Sequence, residues 1–258
     1  MNLPVSASIS YPSDANEAFY SIEEGSFWFR HRNDCILEMV RRFPPGGEIL
    51  DVGGGNGFVA LHLQKHGFPV TLLEPGRGAA RARERGVRNV IQTDLDGAGL
   101  QDASVAAAGV FDVVEHIADD RAFLGKLHRL LCPGGRLYLT VPAFPRLWSA
   151  EDEAAGHYRR YGRAELERVL FASGFRPEFL TGLFFWLPPA ILIFRALPRL
   201  LPGRAPGRFS GKIQAQDHRM PGFLEPFSRF LNRWERGRIC RGDPLSFGSS
   251  WMAVATRI

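Results

Sequence analysis

The sequence contains few cysteines and no long uninterrupted apolar segment. Cys35, Cys132 and Cys240 are its only cysteines, and their spacing fits neither a disulfide framework nor a Cys-x-x-Cys metal site. Residues 180–194 carry no charge, but two prolines interrupt this stretch and it is too short to span a bilayer. We therefore expect a protein of a reducing compartment, the cytoplasm, without a membrane-spanning helix.

Two further features are missing from the sequence. Residues 1–12 lack the basic and apolar regions of a secretory signal, so we expect no export. With 258 residues, of which 45% are hydrophobic and 23% charged, the chain also lacks the low hydrophobicity of disordered proteins. This length accommodates one domain, or one domain with a sizeable insert.

The charge balance is basic, with a formal net charge of +5. Several arginines are concentrated within residues 195–241. Such a bias permits binding to phosphates, nucleic acid or an anionic membrane surface, and it selects none of them.

A glycine-rich stretch follows the first buried apolar segment. Residues 48–52 predict a strand that contains Asp51, and Gly53, Gly55 and Gly57 predict a tight turn before a helix. These glycines let the backbone approach a nucleotide-like group, to which the next helix presents free N–H groups. The spacing is Gly-x-Gly-x-Gly, unlike the Gly-x-Gly-x-x-Gly of a dinucleotide fingerprint.

Helices and strands are predicted to alternate on both sides of this turn. The predicted helices are 16–43, 58–66, 76–86, 119–131 and 163–173, and the later predicted strands are 69–73, 89–92, 105–110, 136–141, 174–183 and 247–255. Glu74 follows the second strand, where a carboxylate can accept hydrogen bonds from both hydroxyls of a ribose. The position of Glu74 supports an adenosine cofactor without selecting a particular one, and its spacing suits NAD as well.

The run LDVGGGNG at 50–57 resembles motif I of the class I S-adenosylmethionine-dependent methyltransferases. Four further segments are similar to members of that family, in the same order: FWFRHRN at 27–33, FDVVEH at 111–116, LCPGGRLYLTVP at 131–142 and the LWS…DE…HYRRY pattern over 147–161. The resemblance covers most of residues 17–183 and 245–256. One departure is Ser104-Val105-Ala106, where the family usually begins the fourth strand with an acid.

This resemblance implies an α/β fold with a Rossmann-like, doubly wound, seven-stranded sheet whose last strand is antiparallel. We assign residues 1–43 to an N-terminal arm and helical cap, and residues 44–183 to the cofactor-binding core. Residues 184–244 are predicted to form an apolar and basic helical insert between strands six and seven, and residues 245–258 the closing strand. For the segment around 27–33, a plain core helix is the alternative to a cap over the cofactor.

The resemblance also implies which residues form the site, with Asp94 as an acceptor for the adenine amino group. The predicted cofactor contacts are Asp51, Gly53, Gly55, Gly57, Glu74, Asp94, Leu95 and Phe111. The predicted substrate contacts are Trp28, Arg30, Tyr158, Arg160 and Tyr161.

Methyl transfer from a sulfonium is an in-line displacement, so the protein mainly positions the reactants and excludes water. A hydroxyl acceptor also needs a base, and His116 and His157 are the candidates because histidine titrates nearest to physiological pH. For each of them, a structural hydrogen-bonded histidine is the alternative.

A metal-assisted route is a further alternative. Asp112, Glu115, His116 and His157 resemble the Glu-x-x-Glu-His…His set that binds a divalent cation in small-RNA 2′-O-methyltransferases and, in related form, in some ubiquinone-pathway O-methyltransferases. Aspartate at 112 shortens the first ligand, so we predict no metal site. Whether a divalent metal is used stays open.

The sequence therefore predicts an S-adenosylmethionine-dependent methyltransferase, with O-methylation of a small or lipid-linked acceptor. The alternatives are a non-catalytic S-adenosylmethionine-binding module and an NAD-dependent oxidoreductase. We do not expect a nucleic-acid substrate, because no Asn/Asp-Pro-Pro-Tyr-type motif follows the fourth strand. The identity of the acceptor, the methylated atom and the oligomeric state stay open.

The insert determines which partner we expect. Residues 183–194 are too apolar to face water as a group, and arginines follow at 195, 199 and 204. An anionic membrane surface is therefore a candidate partner, with the protein peripheral to the membrane. The alternative is a helical pair that only covers the core.

Overall fold

The computed structural model describes residues 20–191 and 225–258. The strands are β1 Ile49–Val52, β2 Val70–Leu73, β3 Asn89–Ile91, β4 Val105–Phe111, β5 Leu131–Pro142, β6 Phe175–Leu183 and β7 Ser250–Arg257. The α-helices are α1 Phe27–Arg42, α2 Phe58–Lys65, α3 Gly78–Arg85, α4 Asp120–Leu130, α5 Ala150–Ala155, α6 Arg163–Ala172, α7 Pro188–Ile191 and α8 Glu225–Arg241.

The seven strands form one sheet in the order β3-β2-β1-β4-β5-β7-β6. Neighbouring strands from β3 to β5 pair in parallel, whereas β7 lies antiparallel between β5 and β6. Apolar runs such as β4 and β5 are typical of strands that are buried on both faces. The predicted seven-stranded Rossmann-like sheet with an antiparallel last strand is confirmed.

Helices cover both faces of the sheet, so the fold is doubly wound. On one face, Leu124 of α4 and Leu170 of α6 belong to a single apolar cluster with side chains of β1, β4 and β5. On the other face, Ile36 of α1, Leu63 of α2 and Ile239 of α8 form a second cluster with alternate residues of the same strands. Because parallel strands end at the same edge of the sheet, this arrangement places the β1, β2 and β4 termini together.

The largest differences from the predicted boundaries are at β5 and α1, and β7 runs from Ser250 to Arg257 instead of from 247 to 255. Strand β5 begins at Leu131 because this residue already pairs with Val105, and regular pairing resumes at Arg136 after a register shift. The intervening turn contains Gly134 with a φ of 74°, the left-handed conformation that glycine adopts readily. In the N-terminal helical segment, α1 starts at Phe27, where the Ser26 hydroxyl accepts hydrogen bonds from the first turn; residues 16–19 lie outside the described residues.

The apolar part of the insert packs inward where the structure describes it. Leu183 and Phe184 are buried, and the Phe184 ring stacks on Trp28 with ring centroids 5.3 Å apart. Phe185 packs on Trp234 of α8 at a centroid distance of 4.9 Å. Core covering therefore accounts for Leu183 and Phe184, whereas residues 185–187 are only partly buried. Residues 192–194 with the arginines at 195, 199 and 204 lie outside the described residues.

One buried carboxylate joins the insert to α1. Glu235 of α8 has Oε1 2.7 Å from His31 Nε2 and accepts a hydrogen bond from the Phe184 N–H at 2.8 Å. Its Oε2 accepts from the Phe185 N–H at 2.9 Å. Phe184 has a φ of 55°, a left-handed conformation that is uncommon for a bulky residue and that these hydrogen bonds stabilise. The residues of the described chain include no helix long and apolar enough to cross a membrane.

Candidate active site

The glycine turn after β1 forms the centre of the site. Gly53, Gly55 and Gly57 have φ values of 70°, 53° and 73°, the left-handed region that favours glycine. Gly54 is close to Asp51, since a Cβ at Gly54 would lie 2.5 Å from the Asp51 Oδ2 atom. The predicted tight turn is confirmed, and α2 begins directly after Gly57 with its first N–H groups at the turn.

Glu74 connects the glycine turn to the next loop. Its Oε2 accepts a hydrogen bond from the Gly55 N–H at 3.0 Å, and its Oε1 accepts from the Gly76 N–H at 2.7 Å. Burial raises the pKa of Glu74, and the two backbone hydrogen bonds oppose that rise. A carboxylate has about four acceptor positions, so two remain available for ribose hydroxyls.

Asp51 is a fully buried acid at the end of β1. Neither of its carboxylate oxygens has a hydrogen-bond partner in the described chain. Burial raises its pKa to about 7, the Arg32 guanidinium lowers it, and the Glu74 carboxylate adds to the rise. A buried acid without a partner is costly, and it favours a cationic ligand at the adjacent turn.

A mostly apolar cleft opens beside the turn, between the ends of β1 and β2 and the loop after β3. It contains the predicted residues Gly53, Asp94 and Leu95, and its other lining residues include Leu73, Val113 and Ile117. One oxygen of Asp94 accepts a hydrogen bond from the Gly97 N–H at 2.8 Å. Apolar walls beside an acidic acceptor suit a flat heterocycle with an amino group.

The predicted cofactor contact of Phe111 is wrong in this structure. Its ring is buried in the core, on the sheet face that α1 and α2 cover. A Cβ at Gly109 would lie 2.5 Å from the Phe111 ring, so this ring occupies the space over Gly109. Alternation along β4 places Phe111 on the same face as Gly109 and away from the cleft.

Two histidines face each other beyond β4 and β5. The rings of His116 and His157 are nearly perpendicular, with centroids 4.8 Å apart. Burial and, to a smaller extent, the neighbouring His157 lower the pKa of His116 to about 4. His116 is therefore neutral and weakly basic at physiological pH, which leaves His157 as the stronger candidate base.

Asp152 orients His157. His157 Nδ1 lies 2.8 Å from the Asp152 Oδ1, and Arg160 Nε donates to the same oxygen at 2.8 Å. Burial raises the pKa of Asp152, but the hydrogen bonds and charges of His157 and Arg160 outweigh this effect and lower it overall. With its Nδ1–H on an ionised carboxylate, His157 has Nε2 as the acceptor atom.

Three of the four residues in the hypothesised cation set lie together. One ligand atom each from Glu115, His116 and His157 falls within 4.8 Å of the others. Burial raises the pKa of Glu115 well above its usual range, and the nearby Asp112 adds to the rise. The fourth residue, Asp112, is engaged elsewhere: it forms an ion pair with Arg32 and accepts a hydrogen bond from the Thr140 hydroxyl at 2.9 Å.

Residues of α1 complete one side of the site, but one of the two predicted there does not contribute. Arg30 is exposed. Arg32 is buried instead, with its guanidinium 5.0 Å from the centre of the Trp28 ring and paired with Asp112. Arg32 lies one helical turn after Trp28, whereas Arg30 lies on the opposite side of α1. This spacing is visible in the sequence and could have identified Arg32.

Some residues of the HYRRY segment, 157–161, lie at the site and others lie in the core. Tyr158 is exposed beside the histidine pair, and its N–H donates to the Glu115 carbonyl at 2.8 Å. Arg160 donates to the Asp152 carboxylate and to the Ala143 carbonyl, so it orients the base. The predicted substrate contact of Tyr161 is wrong, because its ring is fully buried and its hydroxyl donates to Asp120 at 2.8 Å.

Comparisons with known proteins agree with this geometry. The sequence model of the methyltransferase domain family matches residues 27–178. A probable S-adenosylmethionine-dependent methyltransferase of Mycolicibacterium smegmatis is 27% identical over 177 residues, or 67% of this chain and 68% of that protein. A ubiquinone biosynthesis O-methyltransferase of Xanthomonas axonopodis pv. citri is 31% identical over 175 residues, or 59% of this chain and 73% of that protein.

A solved structure shows the same fold. It is an S-adenosylmethionine-dependent methyltransferase, a possible histamine N-methyltransferase, from Thermotoga maritima. The match has a TM-score of 0.57 at 18% identity and covers 95% of this chain and 100% of that chain.

Replacing Glu74 tests its assigned role in cofactor binding at the glycine turn. We expect Glu74→Ala to weaken S-adenosylmethionine binding by about 1.5–3 kcal/mol, the range for hydrogen bonds to a charged group. Titration calorimetry measures the affinity, and circular dichroism verifies the fold. Glu84→Ala, which removes an exposed acid of α3, is the matched control. Unchanged affinity, or loss of the fold, would contradict the assigned role of Glu74.

A second prediction concerns the pH dependence of the affinity for S-adenosylmethionine. Asp51 has a pKa of about 7 in the ligand-free protein, so it is protonated below pH 7 and ionised above it. Because S-adenosylmethionine carries a sulfonium and an ammonium group, its binding favours the ionised acid. We expect its affinity to rise between about pH 6 and pH 8 by up to tenfold per unit below the pKa. Asp51→Asn should flatten this dependence, and equal wild-type affinity at both ends of the range would refute the prediction.

Proposed function

This chain belongs to the methyltransferase domain family, and on that premise we propose that it methylates a hydroxyl group of a small or lipid-linked acceptor with S-adenosylmethionine. The observation that carries the proposal is the pairing of His157 with the buried Asp152, close to the end of β4 where the family places the methyl donor. The O-methyltransferase of Xanthomonas axonopodis pv. citri among its relatives supports a hydroxyl acceptor.

The proposed reaction is a single displacement. The acceptor oxygen forms a bond to the methyl carbon as the carbon–sulfur bond breaks. The electron pair of the breaking bond stays on sulfur, which becomes the neutral thioether of S-adenosylhomocysteine. The hydroxyl proton passes to His157 Nε2. Asp152 stabilises the resulting imidazolium, because it is an ionised carboxylate 2.8 Å from Nδ1.

The remaining buried charges suit the cofactor. The unpartnered acid Asp51 faces the glycine turn and favours the cationic part of the methionyl group. Arg32 is a buried cation beside it, and its Nε has no hydrogen-bond partner within residues 20–191 and 225–258. We propose that Arg32 also receives the cofactor carboxylate, since an unsatisfied buried donor is otherwise costly.

An apolar acceptor fits the aromatic wall beside Arg32. Trp28 stacks on Phe184, and Phe27 lies against Trp186 with ring centroids 5.9 Å apart. Trp28 and Trp186 are only partly buried, so ring surface remains accessible. Such a surface supports an acceptor with a lipid-like or aromatic part.

A cation-assisted route is the second candidate. Glu115, His116 and His157 offer one carboxylate and two imidazoles, a ligand set that suits a divalent metal. A bound cation would lower the pKa of the acceptor hydroxyl. Activity that survives thorough chelation would favour His157 as the base, and activity restored only by added Mg²⁺ or Zn²⁺ would favour the metal route.

The proposed base is tested by removing it. We expect His157→Ala to lower turnover by about 10²–10⁴-fold, the usual contribution of a positioned base, with cofactor affinity nearly unchanged. Turnover is measured as incorporation of labelled methyl groups into lipid and aqueous fractions of a cell extract, and affinity by calorimetry.

His66→Ala removes an exposed histidine of the α2 end and serves as the matched control. Equal losses of turnover and cofactor affinity in His157→Ala would place His157 in the cofactor pocket or the core. Unchanged turnover would eliminate His157 as the base.

A further inference from the structure

The outward face of α8 carries three exposed aromatic side chains, and we propose that this face docks the protein on an anionic lipid bilayer. The inference deepens the proposed function, and it rests on that function only where it concerns a lipid-linked acceptor. Within the described residues, the docking face consists of Phe227, Phe230 and Trp234 with the neighbouring arginines Arg229 and Arg233.

The aromatic side chains form one stripe. Phe227, Phe230 and Trp234 are 60%, 64% and 41% exposed. Their spacing of three and four residues places them on one side of the helix. Aromatic rings on an amphipathic helix that lies in the membrane interface insert into the boundary between headgroups and acyl chains.

The charge of α8 selects the kind of lipid. Five arginines and two glutamates give α8 a net charge of +3. Glu235 is buried against His31, and Glu225 is paired with Arg229, which is still 73% exposed. Arg233 is also exposed and has no ion pair with any residue that the structure describes. Arginines beside an apolar stripe are suited to anionic headgroups, because the negative surface potential of such lipids attracts basic side chains.

The opposite side of α8 anchors the helix in the fold. Ser228, Glu235 and Ile239 are buried there, and α8 packs against α1. Phe227 and Phe230 are not buried by this packing, and Trp234, which contacts Phe185, remains 41% exposed. A second copy of the chain is a poorer occupant, because two copies of this face would bring their arginines together.

A series of contacts connects the buried side of α8 to the candidate active site. Glu235 binds the Phe184 N–H, and the Phe184 ring stacks on Trp28. Trp28 packs on Arg32, which pairs with Asp112 at the end of β4. Docking through α8 therefore brings the acceptor side of the site close to a membrane, where a lipid-linked hydroxyl would be found.

Vesicle binding tests the proposal. We expect the full chain to co-sediment with vesicles of equal parts phosphatidylglycerol and phosphatidylcholine, and to bind pure phosphatidylcholine at least about tenfold more weakly. The double variant Phe227→Ser/Phe230→Ser should lose binding by a similar factor or more. Arg229→Gln/Arg233→Gln should weaken it and reduce its dependence on salt.

Phe171→Ser is the matched control, because Phe171 of α6 is 56% exposed on another surface. Circular dichroism and S-adenosylhomocysteine binding show that each variant is folded. Equal binding to both vesicle types, or full binding by the double aromatic variant, would overturn the proposal. A dimer detected by light scattering, if the aromatic or arginine substitutions dissociate it, would also overturn the proposal, because the face would then join two copies of the chain.

The two proposals fail in different ways. Turnover of a water-soluble hydroxyl acceptor without vesicles depends on His157 and not on the docking face. Intact turnover without vesicle binding would eliminate docking alone, and vesicle binding without any turnover would eliminate O-methylation alone.

Discussion

The hydrogen bonds of Glu74 are the interaction on which the site most depends. One carboxylate binds the backbone of the glycine turn at Gly55 and of the following loop at Gly76, at 3.0 Å and 2.7 Å. Three left-handed residues in this turn would otherwise sample many conformations, because glycine has little steric restriction. Glu74 thus fixes the backbone of the predicted cofactor turn and still has acceptor positions that would suit a ribose.

Buried acids surround the path from cofactor to acceptor. Asp51 and Glu115 have raised pKa values because of burial, and each has at least one oxygen without a hydrogen-bond partner in the described chain. Asp152 differs, because His157 and Arg160 lower its pKa. Unsatisfied buried acids reduce stability and are expected mainly where a ligand compensates for them. A cationic methyl donor at the glycine turn would give Asp51 such a role, and the proposed base His157 would give one to Asp152.

Local patterns made part of this structure predictable. The glycine turn, Glu74 and the alternation of helices and strands follow from short-range signals, and the position of Asp94 beside the cleft follows from the strand order. Side-chain direction was less predictable. Phe111, Arg30 and Tyr161 stand in the expected segments but face the core or the solvent. Strand alternation and helical spacing set the directions of Phe111 and Arg30, whereas the burial of Tyr161 against Asp120 involves a partner 41 residues away.

Arg32 and Glu235, which the sequence analysis missed, also show how little local patterns reveal about distant side-chain contacts. Glu235 contacts His31 across a separation of 204 residues, and no local pattern marks that pair. The helical spacing from Trp28 marks Arg32, but its ion-pair partner Asp112 lies 80 residues away in the sequence.

Calorimetric titration with S-adenosylhomocysteine tests most directly the central claim that the glycine turn holds an S-adenosylmethionine-type cofactor. We predict one molecule bound per chain, no comparable binding of NAD, and loss of binding in Gly55→Val, because valine is strained at a φ of 53° and would fill the ligand's space. Preference for NAD, or unchanged affinity in a folded Gly55→Val protein, would contradict the account.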